Sequence, residues 1–281
     1  MFRRELYFWI SLICVSNALL RYIVFAFKIY DPYGAVFSGF NLSSIIWFAL
    51  IWALYLLFPT RSQMCTRLDY IFAALSLIFA LLPMEHVGWI GVGIAGIAMW
   101  VRSDGDVKQR TAGKLLAAVT VPQLWSKIVF SILSKYIIVF DATLVSQITR
   151  TSRIGNLVAI PDGSGYLLIE GPCSSFANIS LAYLGWVMAL MYFGLRRSTR
   201  MYLYFLFIVL QIVIVNTIRI ALIGYFPRQY ELIHGEVGST IIGWVYVIVI
   251  FGTCAWAART APQDSSDPRR VDANTGVLNW T

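Results

Sequence analysis

The chain has 281 residues, of which 59% are hydrophobic, 15% aromatic and only 13% charged. An apolar share this high, with about half the usual charged share, excludes an ordinary water-soluble domain. The formal net charge of +8 does not point to nucleic acid, because in such a chain the informative quantity is where lysines and arginines fall relative to the apolar stretches.

Stretches long enough to cross about 30 Å of hydrocarbon at 1.5 Å per residue occur at residues 6–27, 40–58, 68–82, 87–101, from 115 onward, 174–195, 201–226 and 237–258. The expected fold is an all-α membrane protein: a polytopic bundle of about eight transmembrane helices over residues 1–259, with a short outer hairpin segment. The first stretch is too long for a signal-peptide core and Arg21 interrupts it, so it is expected to remain as a helix.

Orientation follows from the basic residues. With Arg3 and Arg4 inside and the spans alternating, the inner segments hold Arg61, Arg67, Arg102, Lys108, Arg110, Lys114, Arg196, Arg197, Arg200, Arg259, Arg269 and Arg270. The outer segments hold Lys28, Arg150, Arg153 and Arg228. This asymmetry predicts that both termini are cytoplasmic.

The fifth stretch leaves two arrangements open. From 123 to 140 the polar residues Gln123, Lys127, Ser131 and Lys135 recur every fourth position, one stripe of a helix. Either a short span ends near Pro122 and an amphipathic helix lies on the outer surface, or one longer helix turns its stripe inward. The following outer segment, 141–173, alternates weakly around "PDGSG", residues 161–165; this turn chemistry predicts a short hairpin that delivers the chain to Cys173. The tail, 260–281, is polar and carries Pro262 and Pro268, so it is expected to be disordered in the cytoplasm.

Three short stretches carry chemistry. In "EGPCSSFANIS", 170–180, Cys173 follows a Gly-Pro pair at a helix start, with Ser174 or Ser175 as caps. Such a terminus favours a thiolate; a small residue packed at a helix end is the alternative. Cys14 and Cys254 lie within spans and Cys65 in an inner loop, which leaves Cys173 outside without a disulfide partner. In "NTIRI", 216–220, Arg219 sits roughly 10 Å inside the seventh span, a position costing about 3 kcal/mol unless the charge is paired or reaches water; Asn216 shares its face. A snorkelling anchor is the alternative. In "ELIHGEVG", 231–238, His234 is a candidate general base, and Gly235 and Gly238 would admit a substrate backbone. The second histidine, His86, also falls outside.

Cys173, Arg219 and His234 belong to three different helix ends that charge counting places at one membrane surface. A thiol nucleophile, a base and a cation form a set for acyl transfer.

At these residues the sequence resembles the exosortase and archaeosortase family of multi-pass membrane cysteine transpeptidases. The family pattern is a cysteine followed by Ser-Gly at a helix start, an Asn-x-x-Arg in a later span, and a histidine followed by small residues before the last. Here these read Cys173-Ser174-Ser175, Asn216 through Arg219, and His234-Gly235. The resemblance covers roughly 122–244, including Pro122, Gly155-Asn156 and the turn before the cysteine. Ser175 stands where the family usually has Gly, and Pro172 where it has a small residue.

The resemblance implies substrates that are exported proteins with a C-terminal sorting signal: a short motif such as Pro-Glu-Pro, one transmembrane helix and a basic cluster. It implies Cys173 as nucleophile, His234 as acid and base, and Arg219 as stabiliser of the thiolate or oxyanion, with no metal or organic cofactor needed. Two other classes stay open. Asp104-Gly105-Asp106 could hold a metal and a sugar nucleotide in a polysaccharide-assembly protein, although the loop of about 102–114 is too short to bind a nucleotide by itself and a solvated turn is the favoured reading. A transporter could use Arg219 as a substrate ligand, but the chain shows no two-fold repetition.

Overall fold

A computed structural model describes residues 1–58, 63–82, 86–195 and 198–260; most of the expected disordered tail lies outside them. The architecture is that of an all-α membrane protein, 81% helical. In chain order it comprises α1 (Arg3–Ile29), α2 (Pro32–Phe37), α3 (Ser44–Leu57), α4 (Arg67–Leu81), α5 (Val87–Val101), α6 (Val107–Thr120) and α7 (Ser126–Thr149). Strands β1 (Arg153–Ile154), β2 (Leu157–Ala159) and β3 (Tyr166–Leu168) follow, then α8 (Ser175–Tyr192), α9 (Thr199–Tyr225), α10 (Tyr230–His234) and α11 (Glu236–Thr260).

All eight expected stretches are helical, but among the described residues five helices are long and apolar enough to cross a membrane: Arg3–Ile29, Val107–Thr149, Ser175–Tyr192, Thr199–Tyr225 and Gly238–Thr260. α3 and α5 are shorter apolar helices of 14 and 15 residues. The lateral surface is apolar where a lipid environment requires it. On α9, for example, Leu203, Leu206, Leu210, Ile214, Ile218 and Leu222 recur at helical spacing and are all exposed.

The fifth stretch is one continuous helical run of 43 residues, so it does not break at Pro122. α6 passes into α7 through a π turn, Val121–Trp125, where the proline lacks a backbone donor and local rewinding absorbs the defect. The polar stripe divides. Gln123 is buried and accepts from the Tyr22 hydroxyl of α1 at 2.7 Å, and Lys127 Nζ donates to the same hydroxyl at 2.8 Å. Ser131 and Lys135 stay exposed.

Small residues set the closest helix contacts. A Cβ on Gly96 of α5 would come within 2.7 Å of the Ala117 backbone nitrogen, and one on Gly113 of α6 within 2.6 Å of the Gly96 carbonyl oxygen. Backbones approach this closely in lipid because association there depends on packing and not on water exclusion.

At the end of the bundle where α1 begins, buried Arg3 pairs with Asp69 at 3.1 Å and with Asp104, while Arg102 reaches Asp69 at 2.9 Å. Arg4 pairs with Asp106 at 2.7 Å. The Asp-Gly-Asp segment is an exposed turn at Asp104 and Gly105, as the solvated-turn reading expects, but not a free carboxylate pair: its side chains tie α5 and α6 to the start of α1. Asp106 also caps α6 by accepting from Gln109 N at 3.0 Å.

The main core runs through α1, α3 to α6, α8, α9 and α11. A second, smaller core forms at the opposite end, where Ala142 and Val145 of α7, Val158 of β2, Ile169, and Ile220 and Ala221 of α9 enclose one another. The expected hairpin is the β2–β3 pair, with Val158 opposite Leu167, and β1 adds a third antiparallel strand.

Candidate functional site

Cys173 closes a 3-10 turn, Gly171–Cys173, directly before α8. Ser174 is the N-cap of that helix and its Oγ accepts from Phe176 N at 3.2 Å, as its residue type leads one to expect. Gly171 packs closely under α7: a Cβ there would sit 3.1 Å from the Phe130 ring, which would have to shift slightly. The half-buried Cys173 packs against the smaller core.

The Cys173 Sγ lies 3.5 Å from His234 Nε2, joining side chains 61 residues apart. His234 ends the one-turn α10, where Tyr230 packs its ring 5.0 Å away and Ser239 Oγ donates to the His234 carbonyl at 3.0 Å. Gly235 and Gly238 make close contacts within the chain itself. A Cβ on Gly235 would meet the Glu231 carbonyl oxygen at 2.2 Å, and one on Gly238 the Ile233 carbonyl oxygen at 2.2 Å. They let α10 fold tightly onto the start of α11 and so aim the imidazole; the backbone they admit is the protein's own.

Asn216, buried in α9, donates from Nδ2 to the Cys173 carbonyl at 2.7 Å and to Ser175 Oγ at 3.1 Å. The Tyr246 hydroxyl of α11 reaches Asn216 Oδ1 at 3.5 Å. Arg219 lies one turn further along α9 on the Asn216 face. Among the described residues, its Nε is one of two buried side-chain polar atoms without a hydrogen-bond partner. Leaving such a donor unsatisfied costs about 1–3 kcal/mol, and an unpaired buried N–H is one that an oxyanion or carboxylate would complete.

Two residues of this network were not singled out from the sequence. Asp141 of α7 is 2% exposed; its carboxylate accepts from Ser175 Oγ at 2.9 Å and from Ser175 N at 3.2 Å. Tyr246 lies within electrostatic reach of both Asp141 and Arg219. A lone carboxylate inside the apolar run "IIVFDATLV" was the available signal for the first. The chain Asp141, Ser175, Asn216, Cys173 carbonyl also gives Ser175 a purpose, since glycine at that position could supply no hydroxyl to bridge the acid and the amide.

Asp141→Asn should therefore loosen the cysteine turn. Loss of a charge-assisted acceptor, about 1.5–3 kcal/mol, is expected to slow any reaction that depends on Cys173 roughly tenfold or more while the protein still folds. Rates measured beside thermal unfolding in detergent check this.

The remaining cysteines are elsewhere. Cys14 and Cys254 are buried in α1 and α11. Burial pushes the Cys65 thiol up, although a hydrogen bond with Tyr70 works in the opposite direction. His86 lies at the start of α5, beside Arg21 and Lys127, and is not part of the Cys173 network.

No family model, curated protein or solved structure matches this chain.

Proposed function

We propose that the protein is a membrane-embedded cysteine transpeptidase or protease that cleaves C-terminal sorting tails of exported proteins through a thioester. The observation that carries this reading is the 3.5 Å approach of Cys173 Sγ to His234 Nε2. It is supported by an orphaned guanidinium N–H on Arg219 and by an amide on Asn216 that fixes the cysteine's own carbonyl.

In this mechanism the imidazole carries its proton on Nδ1, so that Nε2 accepts the thiol proton. The thiolate attacks the scissile carbonyl carbon, and the electron pair moves to the carbonyl oxygen, which Arg219 stabilises. Collapse re-forms the carbonyl and breaks the C–N bond, and the imidazolium protonates the departing amine. Water or an incoming amine then attacks the thioester, returns a proton through His234 and frees the thiol.

The bundle crosses the cytoplasmic membrane about eight times in this reading, with both termini inside and Cys173 on the outer face. α3, α4 and α5 then cross as short helices packed within the bundle. The polysaccharide-assembly alternative loses its motif, because the Asp104 and Asp106 carboxylates are engaged by Arg3 and Arg4.

Co-expression tests the proposal. An epitope-tagged exported protein with a tripartite tail, encoded in the same genome, is expected to lose a few kilodaltons beside the wild type and to stay full length beside Cys173→Ala. Full-length product with both variants, for every tailed candidate, would overturn it.

A further inference from the structure

A cleft of about 540 Å³ opens on the side of the bundle between α1, the start of α5 and the start of α7. Three basic side chains line it: Arg21, His86 and Lys127. Lys127 and Arg21 are exposed. The contacts of Lys127 Nζ are the Tyr22 hydroxyl at 2.8 Å and the Tyr22 ring face, 5.3 Å from its centroid. Neither of those partners is an anion.

Apart from Asn17 and Tyr22, the rest of the described wall is apolar. Leu20, Val24 and Phe25 line the cleft and are 54%, 45% and 54% exposed. Leu20 continues along α1 to exposed Ile13, seven residues earlier on the same face. The basic side chains Arg21 and Lys127 thus sit at the head of an open apolar track.

Its height along the bundle is also informative. Arg21 follows Arg3 by eighteen residues of unbroken helix, about 27 Å at helical rise. Arg3 belongs to the ionic cluster at one end of the bundle, so Arg21 and Lys127 lie about one hydrocarbon thickness away. That is the level of lipid phosphates in the leaflet on the Cys173 side, and basic side chains there attract anionic headgroups.

We propose that this cleft binds the phosphate of an anionic phospholipid, with Arg21 and Lys127 holding the headgroup and the Leu20 face of α1 receiving an acyl chain. The assignment is independent of the reaction at Cys173, because it uses none of that site's residues. It also gives the split polar stripe of α7 a purpose, since Gln123 and Lys127 turn to Tyr22 beside this cleft while Lys135 stays outside it.

Native mass spectrometry of the purified full chain tests the assignment, with phosphatidylglycerol, diacylglycerol and inorganic phosphate as probes. Wild type is expected to retain phosphatidylglycerol and not diacylglycerol. Replacing two headgroup-level cations in Arg21→Gln/Lys127→Gln should weaken retention roughly thirtyfold. Lys127→Arg should keep it, and Lys135→Gln, eight residues on and outside the cleft, should leave it unchanged. Equal retention by wild type and the double variant would overturn the site, as would a matching loss in Lys135→Gln, which would mean diffuse surface charge. Displacement of the lipid by equimolar inorganic phosphate would overturn the lipid occupant and assign the cleft to a soluble anion. Thermal unfolding of each variant excludes misfolding as the cause of a loss.

Discussion

His234→Ala is expected to reduce tail cleavage by about 10²–10⁴-fold, the range a positioned general acid and base contributes, whereas His86→Ala leaves it unchanged. The two histidines are equivalent in the sequence, both outside the spans and both near helix starts. They differ in space: His234 Nε2 is 3.5 Å from the thiol, and His86 lines the lateral cleft with Arg21 and Lys127. Cleavage of a tailed substrate by each variant, quantified against protein level in the membrane, distinguishes them. Loss of processing in His86→Ala alone would reverse the assignment. Gly235 and Gly238 extend the same argument, because the backbone contacts they permit are what carry the imidazole to Cys173.

Arg219→Gln is expected to cost about 10²–10³-fold in kcat, the usual loss on removing one donor to a developing oxyanion, with KM little changed. The basis is the buried Nε without a partner on the helix face that also presents Asn216 to the Cys173 carbonyl. A purely anchoring arginine would predict something different: its removal would lower stability and membrane insertion, and the kinetics of the folded fraction would be normal. Arg219→Lys keeps the charge but changes the donor geometry, so it should recover part of kcat. Single-turnover cleavage rates with both variants, set beside their thermal unfolding, separate catalysis from anchoring.

The helices were legible because apolar length is a local property: all eight stretches read from the sequence are helical, α8 begins at the Ser174 cap, and the β2–β3 hairpin forms around the Pro161 to Gly165 turn. Which helices fully span is less local. α3, α4 and α5 are 14 or 15 residues long, and their burial against neighbours is a tertiary fact. The path past Pro122 was left open because a proline breaks a helix in isolation, yet here a π turn carries the chain through and Gln123 finds Tyr22 across 101 residues.

The site shows the same division. Cys173, Ser174, Asn216 and His234 could be named from short motifs, since each motif sits at a recognisable helix end or helix face. The lone carboxylate of Asp141 was visible in its apolar run, but its role was not, because its partner Ser175 is 34 residues away and only the packing of α7 on α8 and α9 brings them together. Asp104 and Asp106 were legible only in part: the local motif gives the exposed turn, while the two arginines from the first turn of α1 that pair with the carboxylates come from about a hundred residues away.

The most direct measurement is acid-quenched intact-mass analysis of the purified protein mixed with a tailed substrate, before and after hydroxylamine. The account predicts an adduct on Cys173 equal in mass to the substrate without its tail. Hydroxylamine should release it, and His234→Ala should slow its formation. Tail cleavage that proceeds with no adduct on Cys173 would contradict the thioester, and cleavage by Cys173→Ala would contradict the assignment of the nucleophile.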